Sequence, residues 1–213
     1  MPVRRPVLIV EGGGDMAAVP LLFRRVVAGL GIYEIFPASN PIQVGDASVL
    51  DRPDQLEKFI VYASSRSDGD SVLVALDFDV FGHRCVVEVV TAWTERIRNN
   101  CNVTKPVAIC FFVREFESLI LASIVDVVAA YPQKSWRTDQ AVDFDNAESI
   151  RGAKETIAKL IRAGSYKPSV DQARFTSAVS LEKLEAVRGF RRFKSAILWL
   201  YDWAPGDGFC NPS

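Results

Sequence analysis

Five acidic residues lie at or just beyond the ends of short apolar runs in this sequence. They are Glu11, Asp77, Asp79, Glu115 and Glu117. Asp77 and Asp79 are two positions apart, and alternate residues of an extended chain point the same way, so both side chains can reach one metal ion. Like charges this close repel one another unless a cation neutralises them. Because every ligand atom would be oxygen, the pattern predicts a Mg²⁺ or Mn²⁺ site rather than a zinc site.

Basic residues elsewhere in the sequence could act on a phosphate beside these carboxylates. Arg114 directly precedes Glu115, and its guanidinium would pair with a carboxylate or with a substrate phosphate. Lys154 lies on a predicted helix, where it would stabilise phosphoryl charge or be solvated at the surface. A C-terminal basic cluster, interleaved with phenylalanines, would track a nucleic-acid backbone, dock an ATPase or form an ordinary solvated helix face; it comprises Arg188, Arg191, Arg192 and Lys194.

Simpler roles stay open for the acidic residues. Glu11, Asp77 and Asp79 could instead cap helices or be solvated in loops. Glu115 and Glu117 follow an apolar run, so each could bind a second metal ion or favour the start of the next helix through the helix dipole.

Other site chemistries find less support in the sequence. The glycines at 12–14 could cradle a dinucleotide pyrophosphate, but the full GxGxxG pattern is not met and no GxxxxGKS or GxxxxGKT loop occurs. His83 is the only histidine and has no Ser or Cys nucleophile motif near it, so triad hydrolysis is not predicted. Asp143 and Asp145 repeat the DxD spacing within a polar stretch, and we interpret them as loop residues.

Composition and charge limit the class of protein. The 213 residues, 49% hydrophobic and 24% charged, suit one globular domain or a domain with a helical annex. Residues 1–132 carry 12 basic and 16 acidic side chains and residues 133–213 carry 13 and 10, so the front half is acidic and the rear half basic. No apolar run approaches the roughly 20 residues of a membrane helix, and the N-terminus lacks a signal-peptide core, which predicts a cytoplasmic protein without membrane contact.

The spacing of the four cysteines predicts neither a zinc ribbon nor the disulfide framework of a secreted protein. Cys85, Cys101, Cys110 and Cys210 show no CxxC spacing. We expect them to be reduced thiols.

Four short apolar runs alternate with stretches of helical periodicity, which predicts the elements that position the carboxylates. The predicted strands are 7–10, 32–36, 72–76 and 106–113, and the predicted helices begin at Asp15, span 53–65 and 85–98, and run from 117 to about 128. This alternation predicts an α/β fold with a parallel sheet of about four strands flanked by helices. If the strand order is 2-1-3-4, Glu11 faces Asp77 and Asp79 across the crevice where ligands bind.

The strand signal stops after the first 132 residues. A polar connection over 131–149 precedes three predicted helical stretches, 150–163, 170–187 with a break near Ser180, and 190–203, and the tail from Pro205 is expected to fray. We therefore predict an α/β domain over 1–132 and a helical extension over 133–213 that packs on it.

Two segments that follow predicted strands are Val10-Glu-Gly-Gly-Gly-Asp15 and Leu76-Asp-Phe-Asp79. Together with the strand and helix that come next, they resemble the Toprim fold of topoisomerases, primases and overcoming-lysogenization-defect nucleases. The chain is still more similar to an uncharacterised bacterial Toprim-like family that repeats a VEGxGD opening, a DxD, an REFExW-like segment and a C-terminal block. The last two correspond here to residues 114–122 and to the segments 152–154, 170–172 and 188–193.

The resemblance implies a magnesium-dependent centre. In this centre Glu11 would act as an acid/base or as a metal ligand, and Asp77 and Asp79 would bind the metal. Leu119 stands where the family has tryptophan, which should affect packing more than chemistry. Asp15 stands where many related nucleases carry glutamate, so it would be either a ligand or a helix cap.

The sequence thus predicts a Mg²⁺-dependent, nuclease-like phosphoryl-transfer protein acting on nucleic acid. Its predicted catalytic residues are Glu11, Asp77, Asp79 and Lys154. The alternative is a non-catalytic Toprim-like subunit that binds an ATPase partner or nucleic acid, and a third possibility is a small-molecule phosphohydrolase. By resemblance alone, the protein would act in defence against phage or mobile DNA beside an ATPase.

Overall fold

Four short strands form one all-parallel sheet in the computed structural model, which describes residues 4–79, 84–140 and 143–204. The strands are β1 (Pro6–Val10), β2 (Ile42–Gln43), β3 (Ser71–Asp77) and β4 (Val107–Phe112), in the order β2-β1-β3-β4. Every residue of β1, β3 and β4 is buried, as expected for a parallel sheet covered on both faces. The predicted α/β fold and the predicted strand order are confirmed.

The second strand lies later in the chain than predicted. The segment 32–36 makes only an isolated bridge between Ile35 and Arg4, and the strand beside β1 is Ile42–Gln43. Residues after Ile35 do follow β1, since Phe36 N donates to Arg4 O (3.1 Å). Ala38 N then donates to Pro6 O (2.9 Å), so the chain stays beside β1 past Pro37.

Helices cover both faces of the sheet. They are α1 (Asp15–Gly29), α2 (Gln55–Ser65), α3 (Val86–Asn100), α4 (Glu117–Leu121), α5 (Ile124–Ala130), α6 (Ala153–Leu160), α7 (Ala173–Ala178), α8 (Leu181–Leu184) and α9 (Arg188–Asp202). The single helix predicted from 117 to 128 is two helices, because the chain leaves helical geometry at Ser123. The predicted break near Ser180 is confirmed: its hydroxyl accepts a hydrogen bond from Lys183 N at the start of α8.

The two faces of the sheet hold separate hydrophobic clusters. Helices α2 and α3 pack on one face, where Trp93 lies fully buried. On the other face α1 packs together with the helices that follow residue 133, including Phe190 and Phe193 of α9. The division at residue 132 stays a prediction.

Helix α9 lies directly against the last strand. A Cβ atom added at Gly189 would be 3.1 Å from Phe112 Cα, so only glycine allows this approach without displacement. The rings of Phe112 and Phe193 are 5.6 Å apart between centroids. The close contact holds the start of α9 beside the carboxyl end of β4, where the predicted site lies.

None of the helices in the described part of the chain has the length and apolar character that crossing a membrane requires. The predicted fraying tail from Pro205, as well as His83 and Cys210, lies outside the described residues. The other three cysteines, Cys85, Cys101 and Cys110, are free thiols, and burial raises the pKa of Cys110.

Candidate functional site

The carboxyl ends of three adjacent strands bring the predicted acidic residues to one edge of the sheet. Glu11 follows β1, Asp77 ends β3, and Glu115 and Glu117 follow β4. Glu11 Oε2 accepts a hydrogen bond from Asp77 N at 3.3 Å, which joins the ends of β1 and β3. This is the edge at which open parallel sheets bind ligands.

Asp77 and Glu117 are the most buried acidic residues of this edge. Asp77 Oδ1 accepts a hydrogen bond from Phe116 N (2.8 Å), and Glu117 Oε1 accepts one from the Tyr166 hydroxyl (2.9 Å). Glu117 Oε2 is buried and has no hydrogen-bond partner among the described residues. A buried carboxylate oxygen that accepts no hydrogen bond is costly.

Lys154 is the cation closest to these two carboxylates. Its Nζ lies 3.8 Å from Asp77 Oδ2 and 3.9 Å from Glu117 Oε2, while its backbone N donates to Glu115 Oε2 at 3.0 Å. The lysine side chain is 43% exposed, so each long ion pair is partly screened by solvent. The predicted catalytic lysine is therefore brought into the acidic cluster from α6, across the fold.

Burial and mutual repulsion raise the pKa values of these acids. Burial raises the pKa of Glu11 to about 7, and Asp79 and Asp15 add to the rise. Burial likewise raises the pKa of Glu117 to about 7, although Lys154 opposes the rise. The pKa of Asp77 is raised well above its usual value, first by burial and then by the charges of Asp15, Glu117 and Glu11.

Asp15 has partners from both halves of the chain. It is the first residue of α1; its Oδ2 accepts from Gly12 N (2.8 Å) and its Oδ1 accepts from Gln172 Nε2 (2.6 Å). The space beside it is closed, since a Cβ at Gly14 would lie 1.8 Å from Gln172 Oε1. These hydrogen bonds fix the position of the Asp15 carboxylate. Burial raises its pKa.

Glu148 holds two of the predicted phosphate-binding arginines. Its Oε2 accepts hydrogen bonds from Arg188 N (3.1 Å) and Arg188 Nε (3.3 Å), and its Oε1 accepts from Gly189 N (2.7 Å). Its backbone O accepts from Arg114 Nε (3.1 Å). Glu148 thereby caps α9 with a negative charge and anchors both guanidiniums.

Arg114 shapes the chain after β3. It adopts a left-handed conformation with φ 65°, which is uncommon for a residue other than glycine. Its carbonyl accepts hydrogen bonds from Phe78 N (2.9 Å) and Asp79 N (3.2 Å). Asp79 is exposed to solvent, whereas Asp77 is buried.

An open pocket of about 340 Å³ adjoins Asp79. Its walls are formed by Phe78, Asp79, Val113, Arg114, Asn146, Glu148, Ser149 and Arg188. It thus joins residues that follow β3 and β4 to residues that precede and begin α9.

The remaining basic residues of α9 do not line this pocket. Arg191 Nη1 donates to Glu185 O (2.7 Å), and Lys194 also pairs with Glu185. Arg192 is half-buried. The predicted basic cluster therefore divides: Arg188 lies beside the acidic residues, and nucleic-acid contact by Arg191, Arg192 and Lys194 stays a prediction.

The carboxylate oxygens of this edge are the ligand type that a hard divalent cation prefers, and one of them, Glu117 Oε2, accepts no hydrogen bond from the described residues. Across residues 4–79, 84–140 and 143–204, no three His, Cys, Asp or Glu side chains are grouped as metal ligands. The metal-ligand assignments of Glu11, Asp77, Asp79, Glu115 and Glu117 stay predictions.

Comparisons of the chain with protein-family models, curated proteins and solved structures find no match. The Toprim resemblance accordingly stays a prediction.

Three residues that hold the site were not assigned a role from the sequence. They are Tyr166, Gln172 and Glu148, and all come from the C-terminal half of the chain. Gln172 falls in one of the segments that carry the family resemblance, and this was the available signal. Tyr166 and Glu148 lie in polar stretches without any periodic pattern.

The raised pKa values predict how stability depends on pH in the absence of divalent cations. A carboxyl whose pKa is higher in the folded chain stabilises the fold below about 4.5, and this stabilisation is lost as the pH rises through about 7. With allowance for the partial exposure of Glu11, we expect the free energy of unfolding to fall by on the order of 2 kcal/mol between pH 5 and pH 8. Urea denaturation in chelator measures this.

The variant Glu117→Gln should flatten that decline, because it removes one of the acids whose pKa is raised. Glu95→Gln, at an exposed position on α3, should keep the full decline. Stability that is constant or rises over this range in the wild type would contradict the prediction.

Proposed function

We propose that the protein is a Mg²⁺- or Mn²⁺-dependent hydrolase of nucleic-acid phosphodiesters, with a Toprim-like centre at the strand ends. The observation that carries the proposal is the buried pair Asp77 and Glu117. In each, one carboxylate oxygen accepts a hydrogen bond and the other lies 3.8–3.9 Å from the Lys154 ammonium. Buried carboxyls with strongly raised pKa values are typical of functional sites. The adjoining pocket adds two arginines suited to phosphate.

The residues that would hold the metal are Asp77, Glu117 and Glu11, with Asp79 and Glu115 completing the set. When bound, Mg²⁺ would supply positive charge that polarises the phosphodiester. Glu11, whose Oε2 accepts a hydrogen bond from Asp77 N, would act at this centre as a metal ligand or in proton transfer.

Positive side chains of the chain would bind the substrate phosphates. Arg114 and Arg188 would hold a phosphate that flanks the scissile bond, because both line the pocket beside Asp79. Lys154, beside Asp77 and Glu117, would stabilise charge on the reacting phosphoryl group.

A second proposal is a non-catalytic subunit, and one contact favours it. Lys154 Nζ already lies between Asp77 and Glu117, so the ammonium could be their permanent counter-ion. The site would then be a structural ion-pair cluster, and the protein would act by binding nucleic acid or an ATPase. Partnership with an ATPase and a role in defence rest on the family resemblance alone.

Nuclease assays separate the two proposals. Purified protein is incubated with supercoiled plasmid, linear duplex and single strands in Mg²⁺ or Mn²⁺. We expect cleavage that chelator abolishes. Glu11→Gln should lower it by about 10²-fold or more, because the centre loses a carboxylate that binds the metal or transfers a proton. Glu95→Gln removes the same charge from an exposed site on α3 and should cleave like the wild type. Equal cleavage by Glu11→Gln would indicate a contaminating nuclease and contradict the hydrolase proposal.

A further inference from the structure

The pocket beside Asp79 has features that a bare acidic cluster lacks. It has a volume of about 340 Å³, and its lining includes two arginines, an asparagine, a serine and a phenylalanine. We infer that this pocket holds one unpaired nucleotide of the substrate, so that the protein engages single-stranded or frayed nucleic acid rather than intact duplex. This inference rests on the proposed function, because it specifies which nucleic acid that site acts on.

The size of the pocket limits what can enter. About 340 Å³ is at the small end of the roughly 300–1,000 Å³ range of ligand pockets. A base inside a duplex is stacked and paired, and it reaches such a pocket only after it leaves the stack. An unpaired nucleotide avoids that energetic cost, which favours single strands and strand ends.

The charge of the pocket suits one phosphate. Arg114 and Arg188 are each held at Nε by Glu148. Their terminal nitrogens make no hydrogen bond to any described residue, so they keep donors for phosphate oxygens. The Glu148 charge is already engaged by Arg188 and by the start of α9, which leaves Asp79 as the acid at the edge of the pocket.

The other walls provide groups that bind a base. The Asn146 side-chain amide donates and accepts, as the edge of a base requires, and makes no hydrogen bond with the described part of the chain. Phe78 also lines the pocket, and its ring packs edge-on against Phe111, with 5.1 Å between the ring centroids. Ser149 Oγ donates to Asn146 O at 2.8 Å, which fixes the turn that carries both residues.

Fluorescence anisotropy tests the inference without any cleavage. A labelled 12-nucleotide single strand and a blunt duplex of the same sequence are titrated with protein in EDTA, where metal-dependent hydrolysis cannot proceed. We expect the single strand to bind at least about 10-fold more tightly than the duplex. A nucleoside monophosphate should compete at lower concentration than inorganic phosphate, because the pocket also contacts the base.

Variants link that preference to the pocket. Arg188→Ala should weaken binding of the single strand about 10-fold, and Asn146→Ala should weaken competition by the monophosphate while keeping that by inorganic phosphate. Arg98→Ala removes the same charge at the C-terminal end of α3, near the opposite edge of the sheet, and should bind like the wild type. Melting temperatures verify that each variant is folded, and Asn146→Ala tests the pocket even if Arg188→Ala is unstable.

The outcomes for this inference and for the proposed function are distinguishable. Preferential binding of the single strand without any cleavage would support the nucleotide pocket and count against hydrolysis. Metal-dependent cleavage of intact duplex with equal binding of both probes would support hydrolysis and overturn the pocket. Absence of binding to either probe in EDTA, or wild-type binding by both pocket variants, would also overturn it.

Discussion

Replacement of Asp77 by asparagine is expected to abolish metal-dependent cleavage and, at the same time, to stabilise the metal-free protein. Asp77 is buried among the charges of Asp15, Glu117 and Glu11, so its ionised form is costly until a cation binds. Asparagine keeps an oxygen that can accept from Phe116 N but carries no charge. We expect a loss in kcat/KM of at least about 10³-fold, which corresponds to about 4 kcal/mol.

Cleavage kinetics with Mn²⁺ and thermal melting in chelator measure the two effects. Asp70→Asn is the matched control, because Asp70 directly precedes β3 and thus lies at the opposite end of the same strand. Its Oδ1 accepts hydrogen bonds from Arg5 N and the Ser71 hydroxyl, which asparagine preserves. Wild-type cleavage by Asp77→Asn would show that the reaction does not depend on this carboxylate.

Truncation of Glu148 to alanine is expected to cause the largest loss of stability among the site variants. Its side chain accepts hydrogen bonds from the backbone of Arg188 and Gly189, the first two residues of α9, and it is only 8% exposed. Alanine would leave the buried Gly189 N–H without its acceptor and remove a negative charge from the helix N-terminus. We expect a loss of about 3 kcal/mol, or roughly 6–12 °C in melting temperature.

Two further variants test that mechanism by thermal and urea denaturation. Glu148→Gln keeps an oxygen acceptor for Gly189 N and should lose less than half as much stability. Glu95→Ala, on the exposed face of α3, should stay within about 0.5 kcal/mol of the wild type. A melting temperature of Glu148→Ala equal to that of the wild type would contradict the capping role.

Much of the sheet could be predicted from the sequence because its buried strands are continuous apolar runs. The glycines after β1 and the acids after β3 and β4 mark where those runs end, and parallel pairing brings these ends to one edge. β2 could not be found in this way, since two residues, Ile42–Gln43, are too short to show a pattern. The second strand was instead predicted at the more apolar segment 32–36.

The acidic residues that follow the strands could likewise be predicted, but the residues that hydrogen-bond to them could not. Gln172 reaches Asp15 across 157 residues, and Tyr166 reaches Glu117 across 49. Contacts of this kind depend on how the C-terminal helices dock, and neither periodicity nor local spacing encodes docking. The role of Glu148 was hidden for the same reason, because its partners begin α9, 40 and 41 residues later.

Direct measurement of Mn²⁺ binding tests the central claim, that the strand-end carboxylates form a divalent-cation site. Electron paramagnetic resonance counts free Mn²⁺ as the ion is titrated into wild type, Asp77→Asn and Asp70→Asn. We predict saturable binding by the wild type and by Asp70→Asn, competition by Mg²⁺, and loss of binding in Asp77→Asn. If the wild type binds no Mn²⁺, or if Asp77→Asn binds it equally well, these carboxylates are not a metal centre and Lys154 is their permanent counter-ion.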